Sequence, residues 1–152
     1  MSFDDILMEF GTRTGLGALN RNRDGICRLV FDGGLVVDLE AKDGDADVSI
    51  TAAVGPLGDD VGAAVLRDFL AANMMITENG GAALGLDLAR DELVLCRQLP
   101  AADLNYATFE RTLDAFLKHL ERCRAHLAEA ETEGPTTGLV GIDQGEMHFM
   151  RV

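Results

Sequence analysis

The sequence predicts an α+β fold: elements in the order α-β-β-β-α-β-β-α, with a twisted antiparallel sheet and helices packed on it. Short runs with apolar residues at every second position, separated by turn residues, read as half-buried antiparallel strands. Other stretches repeat their apolar residues near every 3.6 positions, as helices lying on a core do. The sharpest change of period is at Pro100, which donates no ladder bond. Leu93 to Leu99 before it reads as a strand, and from Asn105 onward Tyr106, Phe109, Leu113, Phe116, Leu117, Leu120 and Leu127 fall on one helix face.

The first helix starts at Ser2, which with Asp5 forms the S-x-x-D capping arrangement. It places Phe3, Ile6, Leu7 and Phe10 on one face and stops near Gly15. After a polar loop, Leu16 to Gly25, come two strands, Ile26 to Phe31 and Leu35 to Ala41, joined at Asp32, Gly33 and Gly34. In the second, Leu35, Val37 and Leu39 alternate with Val36, Asp38 and Glu40, so one face is buried and the other mainly wet. Lys42, Asp43, Gly44 and Asp45 turn the chain into a third strand, Asp47 to Val54, in which Val48, Ile50, Ala52 and Val54 repeat the alternation.

Gly55, Pro56, Leu57 and Gly58 break that pattern, and Asp59 or Asp60 caps a second helix from about Val61 to Met75. Its apolar residues cover more than half its circumference, with only Arg67, Asp68 and Asn73 clearly polar. A helix lying on one sheet needs one apolar stripe, so the surplus implies a second covering surface and hence a homodimer. Val65, Phe69 and Met74, with Leu84 and Leu86 of the following hairpin, are the expected contacts. Thr77 to Gly81 leads into that hairpin, whose strands carry Leu84, Leu86 and Leu88 and then Leu93 to Leu99. The long third helix closes a single domain over residues 1–128. Residues 129–152 are expected to be a linker, marked by Gly134 and Pro135, and a C-terminal tail.

The chain has a formal charge of −13, 5% aromatic residues and no Trp, a composition opposed to nucleic-acid binding, where Lys and Arg neutralise phosphates. No apolar run approaches the roughly 18 residues of a membrane-spanning helix, and an anionic bilayer repels such a chain, so no membrane insertion is expected. The acidic first residues lack the character of a signal peptide. Three cysteines without a CxxC suit reduced thiols, which together place the protein in the cytoplasm. Nine acids between Asp32 and Asp68, against Lys42 and Arg67, give a solvated face that also suits steering of a basic segment.

Candidate chemistry is sparse. Asp43, Asp45 and Asp47 imitate the opening of an EF-hand loop, but Val48 and Val54 stand where its Gly and bidentate Glu belong. Gly15, Gly17 and Asn20 imitate a dinucleotide fingerprint without its third Gly or its preceding strand. His119, Cys123 and His126, spaced i, i+4 and i+7, share one helix flank and offer three zinc-type ligands. The flank borders the apolar stripe and no fourth ligand is evident, so the expectation is no metal and no cofactor. Cys27 and Cys96 sit in strands with no activating signature, so no catalytic residue is assigned.

The segment LGLD, the strand LVLCRQLP, and a helix bearing Phe109, Leu113, Phe116 and Leu120 with the basic pair Arg122 and Arg124 resemble the C-terminal half of the class I type III secretion chaperones, the Tir chaperone family. That family's order is helix, three strands, helix, two strands, helix, which residues 2–128 reproduce. The resemblance implies a homodimeric secretion-chaperone-like fold. It also implies a cytosolic, non-enzymatic chaperone that binds the N-terminal chaperone-binding region of a secreted effector in extended form and keeps it soluble and secretion-competent. The expected effector-binding residues are Phe3, Ile6, Leu7 and Phe10 of the first helix with Leu29, Phe31, Val37 and Ile50 of the first strands. The alternatives are a small α+β metal-binding protein or enzyme using His119, Cys123 and His126, and a noncatalytic regulator of a folded protein partner.

Overall fold

The computed structural model describes residues 1–42, 47–59, 61–75, 77 and 79–133. Helix α1 (Phe3–Thr14) begins with the capping box expected from Ser2 and Asp5: the Asp5 N–H donates to Ser2 Oγ at 3.2 Å, and the Ser2 N–H donates to the Asp5 carboxylate at 2.9 Å. The Ser2 hydroxyl also donates to the Asp5 carboxylate at 2.7 Å, and this bond, followed by that from the Ser2 N–H, favours the charged form and lowers the pKa of Asp5. Gly15, at φ 73°, ends the helix in the left-handed conformation that glycine adopts without steric cost.

Strands β1 (Ile26–Phe31), β2 (Leu35–Lys42), β3 (Asp47–Pro56), β4 (Ala83–Asp87) and β5 (Glu92–Pro100) form one antiparallel sheet in the order β1-β2-β3-β5-β4. The period of two decides its faces. Cys27, Leu29, Val37, Leu39, Val48, Ile50, Ala52, Leu95 and Leu99 turn inward and form one cluster with Phe3, Ile6, Leu7 and Phe10 of α1 and Phe109, Leu113, Phe116 and Leu120 of helix α3 (Tyr106–Glu133). Asn105 caps α3 by accepting from the Thr108 N–H at 3.0 Å. The two helices meet edge to face through Phe10 and Phe109, their ring centroids 5.7 Å apart. A bulge between Ala53 and Gly55 brings β3 close under α3, where a Cβ on Gly55 would stand 2.9 Å from Leu127.

The element order is the one expected, and the boundaries differ by more than one residue in three places. Helix α2 (Ala63–Met74) starts behind Gly62, which makes no side-chain cap, because Val61 is held in a turn by its bond to Gly58 O at 3.0 Å. It does not start behind Asp59, and Asp60 lies outside the described residues. Strand β3 continues past Val54 to Pro56, which as a strand end facing Glu92 needs no further donor. Helix α3 runs to Glu133, beyond the expected domain limit at 128, since Ala128, Glu129, Ala130 and Glu131 are all good helix formers. The EF-hand-like Asp43 and Asp45 and the tail from 134 onward lie outside the described residues. Among the described residues no helix is long and apolar enough to cross a membrane.

Candidate functional site

The expected effector-binding residues are brought together, but in the interior. Phe3, Ile6, Val37 and Ile50 have no exposed surface, Leu7, Phe10 and Leu29 are buried, and Phe31 is half-buried. Strand parity is the cause: the odd positions of β1 and β2 face the helices, so the even positions face outward. There Val30, 68% exposed, lies opposite Val36, 41% exposed, and beside them Arg28 pairs with Asp38 through two bonds of 2.7 Å. On an ordinary wetted sheet face the valines would be polar. An open depression of about 410 Å³ lies over this face, lined by Arg28, Val36, Asp38, Thr51, Val94 and Arg124 among others.

Strand β1 is outermost in the sheet, and among the described residues its outer side is open beyond Ile26. Asn22 occupies only the start: its N–H donates to Ile26 O at 2.8 Å, and its Oδ1 accepts from the Ile26 N–H at 3.0 Å. Because Ile26 bonds outward, the antiparallel alternation sends the N–H and C=O of Arg28 and Val30 outward as well. Among the described residues nothing pairs with those groups. This is a strand edge able to accept a further strand, next to exposed apolar side chains.

The opposite edge is closed at Leu84. Asn73 of α2 acts on β4 as a neighbouring strand would, its Nδ2 donating to Leu84 O at 2.9 Å while the Leu84 N–H donates to Asn73 Oδ1 at 2.8 Å. Asn79 locks the helix end by donating to Ala72 O at 3.0 Å. On its other side α2 rests on α3, with the Phe69 ring edge-on to His126 at 5.4 Å and Asp68 3.1 Å from His126 Nε2.

The expected dimer contacts separate accordingly. Phe69 is 3% exposed and packs within its own subunit, Val65 and Leu84 are half-buried, and Met74 and Leu86 face solvent. Leu70 and Leu88, which the sequence reading left out, are exposed as well. Leu70 was visible in the sequence as part of the surplus apolar surface of α2, and Leu88 as a member of the same alternation as Leu84 and Leu86.

The His119, Cys123 and His126 flank is divided. His119 is buried, with Arg122 Nη2 3.4 Å from its Nδ1 and Cys123 Sγ 3.8 Å from its Nε2, whereas His126 turns to Asp68. A guanidinium only donates, so Nδ1 accepts and Nε2 carries the proton. Burial, reinforced by the Arg122 charge, lowers the pKa of His119 to about 4. Burial outweighs the opposing Arg122 and raises Cys123 to about 12, and it also raises Cys27, with Asp38 adding to the effect. These two thiols are protonated at neutral pH and are poor nucleophiles. Among the described residues no three His, Cys, Asp or Glu side chains are gathered as a metal-ligand set.

The model of the Tir chaperone protein (CesT) family matches residues 5–124. Among solved structures, the chain is similar to one in the ExsC–ExsE complex, with 26% identity and a TM-score of 0.71, covering 82% of this chain and 96% of that one. It is similar in fold to a chain in the complex of the Yersinia pestis type III secretion chaperone SycH with a fragment of YscM2, at 24% identity and a TM-score of 0.64, covering 78% and 97%. The ExoU–SpcU complex of the Pseudomonas aeruginosa type III secretion system also shares the fold, at 18% identity and a TM-score of 0.65, covering 82% and 96%. No curated protein matches the chain.

Proposed function

The chain belongs to the Tir chaperone protein (CesT) family and is a type III secretion chaperone of effectors, and from this premise we propose that it holds the N-terminal chaperone-binding region of an effector as an added strand along β1. It acts in the cytoplasm, as a homodimer, by binding alone and without a cofactor. The observation that carries this reading is the open edge of β1, where the backbone of Arg28 and Val30 faces outward beside Val30 and Val36. Main-chain bonds along such an edge hold an extended segment whatever its sequence, and alternate side chains reach the apolar outer face. The expected client residues of α1 and the first strands then act from beneath, by fixing the sheet whose other face the client meets. The SycH and ExoU–SpcU structures support the reading in that each contains a second protein bound to a chain of this fold.

Homodimerisation is supported by Leu70, Met74, Leu86 and Leu88, all more than 40% exposed on neighbouring α2 and the β4 hairpin. The absence of catalysis is supported by the protonated state of Cys27 and Cys123 and by the separation of His119 from His126.

The test is Val30→Pro. Its N–H points away from β2, so proline removes a bond offered to the client and none of the sheet's own. Coexpressed with its effector, the wild-type chain brings down one client per two subunits. The variant keeps its fold by circular dichroism and loses at least about tenfold in client affinity, the equivalent of one or two main-chain bonds. Undiminished capture by a folded Val30→Pro chain would refute strand addition at β1.

A further inference from the structure

Strand β5 carries one residue that breaks its inward pattern. Leu93, Leu95 and Leu99 point into the core, and Arg97, at the same parity and opposite Ile50, occupies the apolar position between them. Its guanidinium is built in: Nη1 donates to Gly81 O at 3.2 Å, and a Cβ on Gly81 would collide with the guanidinium itself. Gly81, at φ 77°, therefore serves both the turn and the seat of Arg97. Among the described residues Nε is buried with no partner, and Nε and Nη2 form the planar fork that pairs with carboxylates and phosphates. A buried donor of this strength left unpaired is costly, so its retention points to a group beyond the described residues.

Arg97 lines a cavity of about 550 Å³ between β5 and the first turns of α3, together with Asn105, Thr108, Arg111 and Thr112. Asp103 is the one acidic residue on this wall, and neither arginine pairs with an acidic side chain among the described residues. Among the described residues the lining thus carries two positive charges against one negative, in a chain whose net charge is −13. Two guanidinium groups and two hydroxyls supply donors from two walls, and the volume holds a group larger than a water cluster.

We propose that the cavity between β5 and the start of α3 is an oxyanion site, in which Arg97 and Arg111 grip a carboxylate or phosphate group. The group arrives either as a free anion or as an acidic side chain of a bound polypeptide. This site is separate from the β1 edge, and its test does not depend on any client.

Arginine side-chain Nε–H signals of the full, ¹⁵N-labelled chain are followed by NMR during titration with inorganic phosphate and, separately, with N-acetylglutamate amide. The expected result is a saturable shift of the Arg97 signal, with sodium chloride at equal ionic strength producing none. Saturation by phosphate alone assigns the site to a free anion, and saturation by the glutamate compound assigns it to an acidic side chain. Arg111→Gln changes an exposed residue and leaves the fold intact, and it weakens binding about tenfold. No saturable shift with either probe, the same shift with chloride, or unchanged affinity in Arg111→Gln would overturn the assignment.

Discussion

The two outer strands of the sheet are finished in opposite ways. At β1 the outward backbone of Arg28 and Val30 is bare among the described residues, beside exposed valines, whereas at β4 the backbone of Leu84 is bonded twice by the Asn73 amide. A bare edge invites strand pairing, including with copies of itself, and proteins guard such edges with charges, prolines, bulges or a covering helix or loop. Here the covered side is covered by α2, a helix that buries only Phe69 and Ala72 fully and leaves Leu70 and Met74 in solvent. Leu84 is therefore shut by a helix that carries its own apolar surface, while Arg28 and Val30 are open among the described residues. Each prediction below removes one part of that asymmetry.

The largest effect comes from Phe69→Ala. This ring is the main buried apolar anchor between α2 and α3, and its loss leaves a cavity beside His126 that costs about 3 kcal/mol by urea denaturation. Val30→Ala, on the open side, changes stability by less than about 0.5 kcal/mol, because Val30 is already in water. Equal costs at the two positions would show that α2 is not held as described.

Acid acts next, on the α3 flank that also carries His126. His119 is neutral when folded, its pKa lowered to about 4 from 6.5, so the unfolded chain binds the extra proton between those values. The stability this burial allows is fully present above pH 6.5 and is lost as pH falls towards 4. Between pH 7 and 4.5 the wild-type chain loses about 2 kcal/mol more than His119→Gln, in which that proton uptake is absent. Parallel pH profiles for the two proteins in urea titrations would remove His119 as the source.

Much of this architecture was legible because it rests on local signals. The Ser2 and Asp5 cap, the glycines at 33 and 34, and the change of period around Pro100 each act within a few residues, and each is found where the sequence placed it. What depends on pairing across the chain was not legible. Alternation in β1 says that Leu29 and Val30 face opposite ways, but only the docking of α1 decides which is interior, so the expected client residues proved to be the buried set. Asn73 was visible as a polar residue on an apolar helix. Its role depends on Leu84, eleven positions away, and a side-chain amide bonding a distant backbone leaves no spacing to read. Arg97 was likewise hidden, since a single charge in a strand reads as its wet face until the register with Ile50 turns it inward.

Asn73→Ala is a smaller change that separates the two edges directly. It deletes two part-buried bonds and leaves the Leu84 N–H and C=O without them, a loss of about 1 to 2 kcal/mol. Amide exchange at Leu84 should accelerate while exchange at the inward-bonded amides of β1 stays as it was. If Leu84 remains as protected in the variant, the helix backbone and not the amide closes the edge.

The smallest expected change in the protomer's own stability comes from Leu70→Asp combined with Met74→Asp, since both side chains are already more than half exposed. Its effect is on assembly. If the apolar face of α2 is where a second copy lies, two carboxylates there are desolvated on association, and light scattering should give the mass of one chain where the wild type gives two. The β1 edge stands at the other end of the sheet order, so the monomeric variant should still bind an effector segment, one client to one subunit. A variant that stays dimeric would move the subunit contact away from α2. One that loses both the dimer and the client would show that the open edge is completed by the partner subunit, and that the two sides of the sheet are not independent.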